Sequence, residues 1–196
     1  MTTVTADIAV SLDGYAAGPN QSEDLPFGEG VDGRLHTWMF DHADENRAEI
    51  DGIVNAGAYI LGRNMFGPGR GDWDLDWKGW WGTRAAISRA GVRAYPPSPG
   101  AARDGRRHDV HLRHRRTRVR PCAGRAGRGG WAVGDRRRRS QYLSLGAIDE
   151  LRLHVVPITL GAGERVFDGV GGLTFGIDRI RPTGHVVHMT LRLPAR

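Results

Sequence analysis

The feature that most limits how this chain can fold is the distribution of its arginines. Residues 84–140 hold 17 arginines against three acids (Asp104, Asp109 and Asp135), a net of +14. The rest of the 196-residue chain carries 11 bases and 19 acids, a net of −8. The overall charge of +6 therefore belongs to one segment, and any partner inferred from global charge rests on that segment alone. Neither a strand period nor a helix period runs through 84–140, which is built of Pro-Pro-Ser-Pro-Gly, clustered Arg and His, Gly-Arg-Ala-Gly-Arg-Gly-Gly and finally Arg136 to Arg139. No stretch of it offers the apolar face that a regular element must bury, so it is expected to be irregular or poorly ordered.

The flanks are regular. Val4 to Leu12 is β-branched and weakly alternating, a first strand that breaks at the turn dipeptide Asp13-Gly14. Residues 15–33, rich in Gly, Pro, Asn, Ser and acids, read as a long surface loop of the kind that serves as a lid. From Leu35 to Val54, the spacing of Leu35, Met39, Ile50 and Val54 predicts one helix with a single core-facing side. Ala58 to Leu61 is a short buried strand ending at Gly62, and the run 72–81 holds four of the six tryptophans. Beyond the arginine block, Gly146 is the stop signal of a helix that begins near Gln141. A strand follows from Ile148, with Leu151, Leu153 and Val155 on one face and a break at Pro157. Gly161-Ala-Gly163 is a tight turn, and Val187, Met189, Leu191 and Leu193 alternate with polar residues in a final half-buried strand. The order of elements predicts an α/β fold in three layers, with a mostly parallel central sheet and an antiparallel end.

Length and apolar share suit one domain over 1–196. No apolar run approaches the ~20 residues that span a bilayer, and the opening residues read as a strand rather than a signal peptide, so a cytoplasmic protein is expected. The lone Cys122 excludes an internal disulfide framework and a multi-cysteine metal site, and no metal is expected.

Three constellations are candidates for chemistry. Ser11-Leu12-Asp13-Gly14 closes the first strand beside the long loop and is either a plain turn or a ligand contact. Gly62-Arg63-Asn64 follows a buried strand, where free backbone N–H groups, a close-approach glycine and the arginine fork suit a phosphate; a surface arginine after a turn is the alternative. Trp73, Trp77, Trp80 and Trp81 are able to stack a heteroaromatic ring, though core packing is the commoner use of tryptophan. His36, His154, His185 and His188 show no ligand spacing and read as core or surface histidines; Asp149 and Glu150 read as capping or salt-bridging groups.

Taken in register, Ser11 to Gly14, the run Ala56 to Gly67 (AGAYILGRNMFG) and the run Gly146 to Asp168 (GAIDELRLHVVPITLGAGERVFD) resemble the dihydrofolate-reductase-like family. That family includes the reductase domain of the bifunctional deaminase–reductase of riboflavin biosynthesis. The resemblance covers about 1–82 and 141–196. It implies an NADPH cleft across the sheet and hydride transfer to a pteridine- or pyrimidine-like small molecule. By position, it implies that Gly62, Arg63 and Asn64 hold cofactor phosphate. It likewise implies that Leu12, Asp13 and Gly14 with the following loop form the lid over nicotinamide and substrate. Asp13 is the one proton source that can be named. Relatives often form homodimers.

The chain departs from that pattern in its centre. Where relatives carry further strands and a glycine-rich loop for the cofactor pyrophosphate, this sequence reads Val133-Gly134-Asp135 and then four arginines. Gly134 alone answers to the loop, because arginine side chains keep a phosphate off the backbone. With 27 arginines and one lysine, as GC-rich coding DNA gives, residues from about 83 to 140 read as a shifted frame, replaced rather than inserted. An intact reading frame through both junctions would defeat that idea. One competing reading is an inactive frame-shifted product; the other is a nucleic-acid-binding protein gripping phosphates through the arginines with His108, His111 and His114, which lacks interleaved aromatics, Trp131 standing alone, and this argues against nucleic acid.

Overall fold

The structure is a computed structural model. It describes residues 3–22, 24–56, 58–61, 92–94, 131–133, 143 and 146–193, and in the three short central strands it gives backbone and pairing. The first strand, β1 (Val4–Ser11), forms where the sequence alternates, and it lies near the middle of a seven-stranded sheet. In chain order the others are β3 (Ala58–Leu61), β4 (Val92–Ala94), β5 (Trp131–Val133), β6 (Glu150–Val156), β8 (Gly176–Pro182) and β9 (Val187–Arg192). The spatial order is β4-β3-β5-β1-β6-β9-β8. β4, β3, β5, β1 and β6 run parallel, and β9 and β8 close the sheet antiparallel. The expected mostly parallel sheet with an antiparallel end is what forms. A separate ribbon pairs β2 (Tyr15–Ala17) with β7 (Glu164–Arg165).

Period-two alternation sends β1 to two different layers. Ala6, Ile8 and Val10 join Leu151, Leu153, Leu191, Ile148 and Leu143 in one apolar cluster. On the opposite face, Ala9 packs against a second cluster of Val31, Leu35, Trp38, Val156 and Val186. The layers follow from the connections. The link from β1 to β3 carries a 3₁₀ turn (Arg34–His36), α1 (Thr37–Phe40) and α2 (Arg47–Val54), with Leu35, Trp38, Ile50 and Ile53 on the second cluster. The link from β5 to β6 passes through Leu143, helical and fully buried against the first cluster. Gly146, at φ +63°, ends that turn by donating its N–H to the Leu143 carbonyl at 3.0 Å, as a helix stop should.

Five details differ from the sequence reading. The helix expected from Leu35 to Val54 is broken between Phe40 and Arg47, where Asn46 is buried and its Nδ2 donates to the carbonyls of Trp38 and His42 at 3.0 and 2.8 Å. Ile53 rather than Val54 then meets the core. The loop at 15–33 is partly interior, since Tyr15–Ala17 is a buried strand and Val31 is wholly covered. β8 was not anticipated, because a register shift between Ile177 and Arg179 breaks its alternation. Finally, Val92–Ala94 and Trp131–Val133, inside the arginine-rich stretch, join the sheet as three-residue strands, too short to show any period.

Candidate active site

Adjacent parallel strands whose following connections leave to opposite faces open a crevice at their carboxyl ends, where α/β sheets bind ligands. β1 and β5 are such a pair: the connection after β1 covers the Trp38 face and the one after β5 covers the Leu143 face. Their described pairing is confined to Val4 with Trp131 and Thr5 with Ala132. On its other side β1 stays paired to β6 from Thr5 up to Ser11. The upper end of β1 is thus the described wall of the crevice.

That wall ends in a tightly bonded turn. Leu12 N–H donates to the Ile158 carbonyl at 2.8 Å, Gly14 N–H to Ser11 O at 2.9 Å, and Tyr15 N–H to Ser11 Oγ at 3.0 Å. The Ser11 hydroxyl, buried, donates to Asp13 Oδ1 at 2.5 Å. Asp13 also accepts the N–H of Leu160 at 3.1 Å and that of Gly161 at 2.7 Å, which fastens the segment after β6 to the end of β1. The Ser11 hydrogen bond above all, helped by the two backbone N–H groups and opposed by desolvation, lowers the Asp13 carboxyl to about 2. Such a group is ionised at neutral pH.

Leu12 projects outward, 64% exposed. Gly14 has φ +88°, a conformation costly for other residues, and a Cβ there would meet only the Arg165 guanidinium, at 3.9 Å. Arg165 lies 4.5 Å over the Tyr15 ring and donates to Asp13 O at 3.2 Å. An exposed aliphatic side chain, an open stretch of backbone and a cation thus share one lip. This suits a flat uncharged ring with an anionic neighbour. Gly62, Arg63, Asn64 and Gly134, together with Trp73, Trp77, Trp80 and Trp81, lie outside the described residues. By chain connectivity Gly62 follows the carboxyl end of β3, and Gly134 that of β5.

The remaining candidates are structural. Asp149 Oδ2 accepts Val4 N–H at 2.7 Å, and Glu150 pairs with Arg152 at 2.6 Å, the capping and salt-bridging roles expected of them. His154 and His188 are core residues, as expected, but their mutual contact was not foreseen: they face each other across β6 and β9, Nδ1 to Nδ1 at 2.7 Å. The available signal was position. Asp7, His154 and His188 each sit between residues of the first cluster's face on what prove to be three successive strands. Among the described residues there is no group of three or more His, Cys, Asp or Glu able to hold a metal, and no helix long and apolar enough to cross a membrane.

No protein-family model matches the sequence, and no curated protein matches it. Solved structures do. RibD from Acinetobacter baumannii aligns with a TM-score of 0.55 at 16% identity, over 100% of this chain and 59% of that one. The diaminohydroxyphosphoribosylaminopyrimidine deaminase/5-amino-6-(5-phosphoribosylamino)uracil reductase of Thermotoga maritima aligns at 0.51 and 14%, over 98% of this chain and 57% of that one. A pyrimidine reductase-like protein from Corynebacterium diphtheriae aligns at 0.51 and 12%, over 100% and 93%. This chain thus spans less than two thirds of the Acinetobacter and Thermotoga proteins. At these identities the likeness is one of architecture, and the chain has the dihydrofolate-reductase-like fold of these RibD-type proteins.

Proposed function

We propose that the chain, as one reductase domain, is an NADPH-dependent oxidoreductase that passes hydride to a pteridine- or pyrimidine-like small molecule in the cytoplasm. The observation that carries this is the sheet itself. Its strand order opens a crevice between β1 and β5, and the same architecture over the whole chain occurs in proteins described as uracil and pyrimidine reductases. In this reading Gly62, Arg63, Asn64 and Gly134 hold the cofactor phosphates, while Leu12 and Gly14 face the nicotinamide. NADPH bound there would supply the hydride.

Hydride transfer asks little of side chains beyond orientation and exclusion of water. Leu12 offers an apolar surface to one ring, and the bonds from Asp13 to Leu160 and Gly161 keep the lip closed up to the end of β6. Asp13 acts here as a positioning residue, and the proton that completes the reduction comes from water. The proposed partners are the small-molecule substrate and a second copy of the chain. The latter is favoured by strand β8, at the end of the sheet, with Ile177 65% and Ile180 50% exposed.

Quenching of tryptophan fluorescence on titration with NADPH and NADH tests the reading, followed by oxidation of NADPH in the presence of a ribosylaminopyrimidine. Saturable quenching that favours NADPH supports it. A salt-sensitive RNA complex with no response to either dinucleotide overturns it in favour of the arginine segment as a nucleic-acid binder.

A further inference from the structure

The buried histidines belong to a chain of polar groups that the proposed reaction does not use. Asn46 fixes the protons along it. Its Nδ2 donates to the Trp38 and His42 carbonyls, so its Oδ1 is an acceptor, and it receives His188 Nε2 at 2.8 Å and the Arg181 guanidinium at 3.4 Å. His188, neutral and with its proton on Nε2, leaves Nδ1 as a lone pair. That lone pair lies 2.7 Å from His154 Nδ1, so His154 is the donor across the pair. What remains is His154 Nε2, buried and 3.6 Å from Asp7 Oδ1; among the described residues neither it nor the two Asp7 oxygens has a hydrogen-bond partner.

We propose that this buried chain, in which His154 donates to a neutral His188 and faces Asp7, is a pH-sensitive latch fastening the layer 34–54 to the sheet. Trp38 is the mechanical link. Its ring packs on His154 at 4.4 Å and edge-on to His188 at 5.1 Å, and its backbone carbonyl is held by Asn46. A second proton on the His188 ring, at Nδ1, removes the bond between the rings, which drives them apart and loosens Trp38 and Asn46 from β6 and β9.

The surrounding charges come from every packed element. β1 gives Asp7, and β6 gives Arg152, 3.7 Å from Asp7 and paired with Glu150. α2 gives Glu49, 4.0 Å from His188 Nε2, with Glu45 just before the helix; β8 gives Arg181, bonded to Glu49, and Arg179. Burial, with His154 and the two arginines added, outweighs the attraction of Glu49 and lowers His188 to about 4. The closed state therefore resists the second proton that an unfolded histidine would accept near 6.5.

Two measurements on the unaltered protein test the latch. Nitrogen-15 NMR of the histidine rings at neutral pH is expected to show His188 protonated at Nε2 alone and His154 protonated at Nδ1. A proton on His188 Nδ1, or a bare Nδ1 on His154, overturns the assignment. Hydrogen exchange between pH 7 and 5, corrected for its intrinsic pH dependence, is expected to show amides of 34–54 opening up to ~10-fold more per pH unit while β6 and β9 keep their protection. Loss of protection that is uniform, or absent, overturns the latch.

Discussion

On one face of β1, Ala6, Ile8 and Val10 meet leucines and isoleucines that differ little in what they ask of a neighbour. On the other face, Asp7 lies by His154 and Ser11 holds Asp13, each through one geometry and one set of protons. Eight residues of strand thus serve two layers in different ways. The apolar layer stabilises in proportion to area removed from water, tolerates rearrangement and does not titrate. The polar layer contributes less net free energy per contact but decides which atoms face which, and it responds to pH.

The largest expected effect separates the two layers by pH. Leu151 is fully buried in the apolar cluster, and Leu151→Ala removes buried methyl groups and leaves a cavity. It should cost about 3 kcal/mol in urea unfolding. The loss should be the same at pH 8 and pH 5, since nothing in that cluster titrates. A loss that grew in acid would mean that the layers are not separate.

At the upper end of the polar face, Asp13→Ala frees the N–H groups of Leu160 and Gly161 and lets the segment after β6 part from the lip. A displacement of about 1 Å at a reacting centre lowers turnover about 100-fold. Reductase kcat should fall by about that factor, while its pH profile near neutrality keeps its shape, because Asp13 is ionised throughout that range. A new dependence on pH would restore Asp13 as the proton source.

Acid should reveal the histidine pair next. His188 has a folded value near 4 and an unfolded value near 6.5, so its neutral form favours the folded state. Its contribution is complete above 6.5 and is lost as pH falls from 6.5 toward 4. The loss is about 2 kcal/mol once solvent screening is allowed for. Urea midpoints at pH 8, 6.5 and 5 measure it, and His188→Phe, which keeps a ring against Trp38, should flatten the curve.

The same division explains what could be read from the sequence. β1, β6 and β9 were legible because their first face alternates: Leu151, Leu153 and Val155 pack together as the pattern requires. The other face was not, because a histidine at an alternate position looks alike whether solvent or a second histidine lies opposite. Only the pairing of His154 with His188 decides that. The break between α1 and α2 was hidden for a similar reason: Asn46 ends the first segment through bonds to Trp38 and His42, and a third partner, His188, is on β9. At the site, the turn Ser11–Gly14 was legible as a turn, whereas the occupation of Asp13 by Leu160 and Gly161, roughly 150 residues away, was not.

The smallest effect sharpens the comparison within one helix. α2 presents Glu49 to the sheet, where Arg181 bonds it, and Asp51 to solvent, 3.6 Å from Arg47 one turn earlier. Glu49 is 11% exposed against 52% for Asp51. Water screens the outer pair, and both its side chains give up freedom to meet, so Asp51→Asn should change stability by only about 0.3 kcal/mol. Added salt should erase even that. The inner pair sits beside His188 and within the latch, and Glu49→Gln removes the one carboxylate that draws a proton toward that ring. It should therefore deepen the acid loss that His188 contributes, because the folded value falls further below the unfolded one, which the outer substitution cannot do. If both substitutions behaved alike, α2 would be held by apolar contact alone and the polar face would have no part in fastening it.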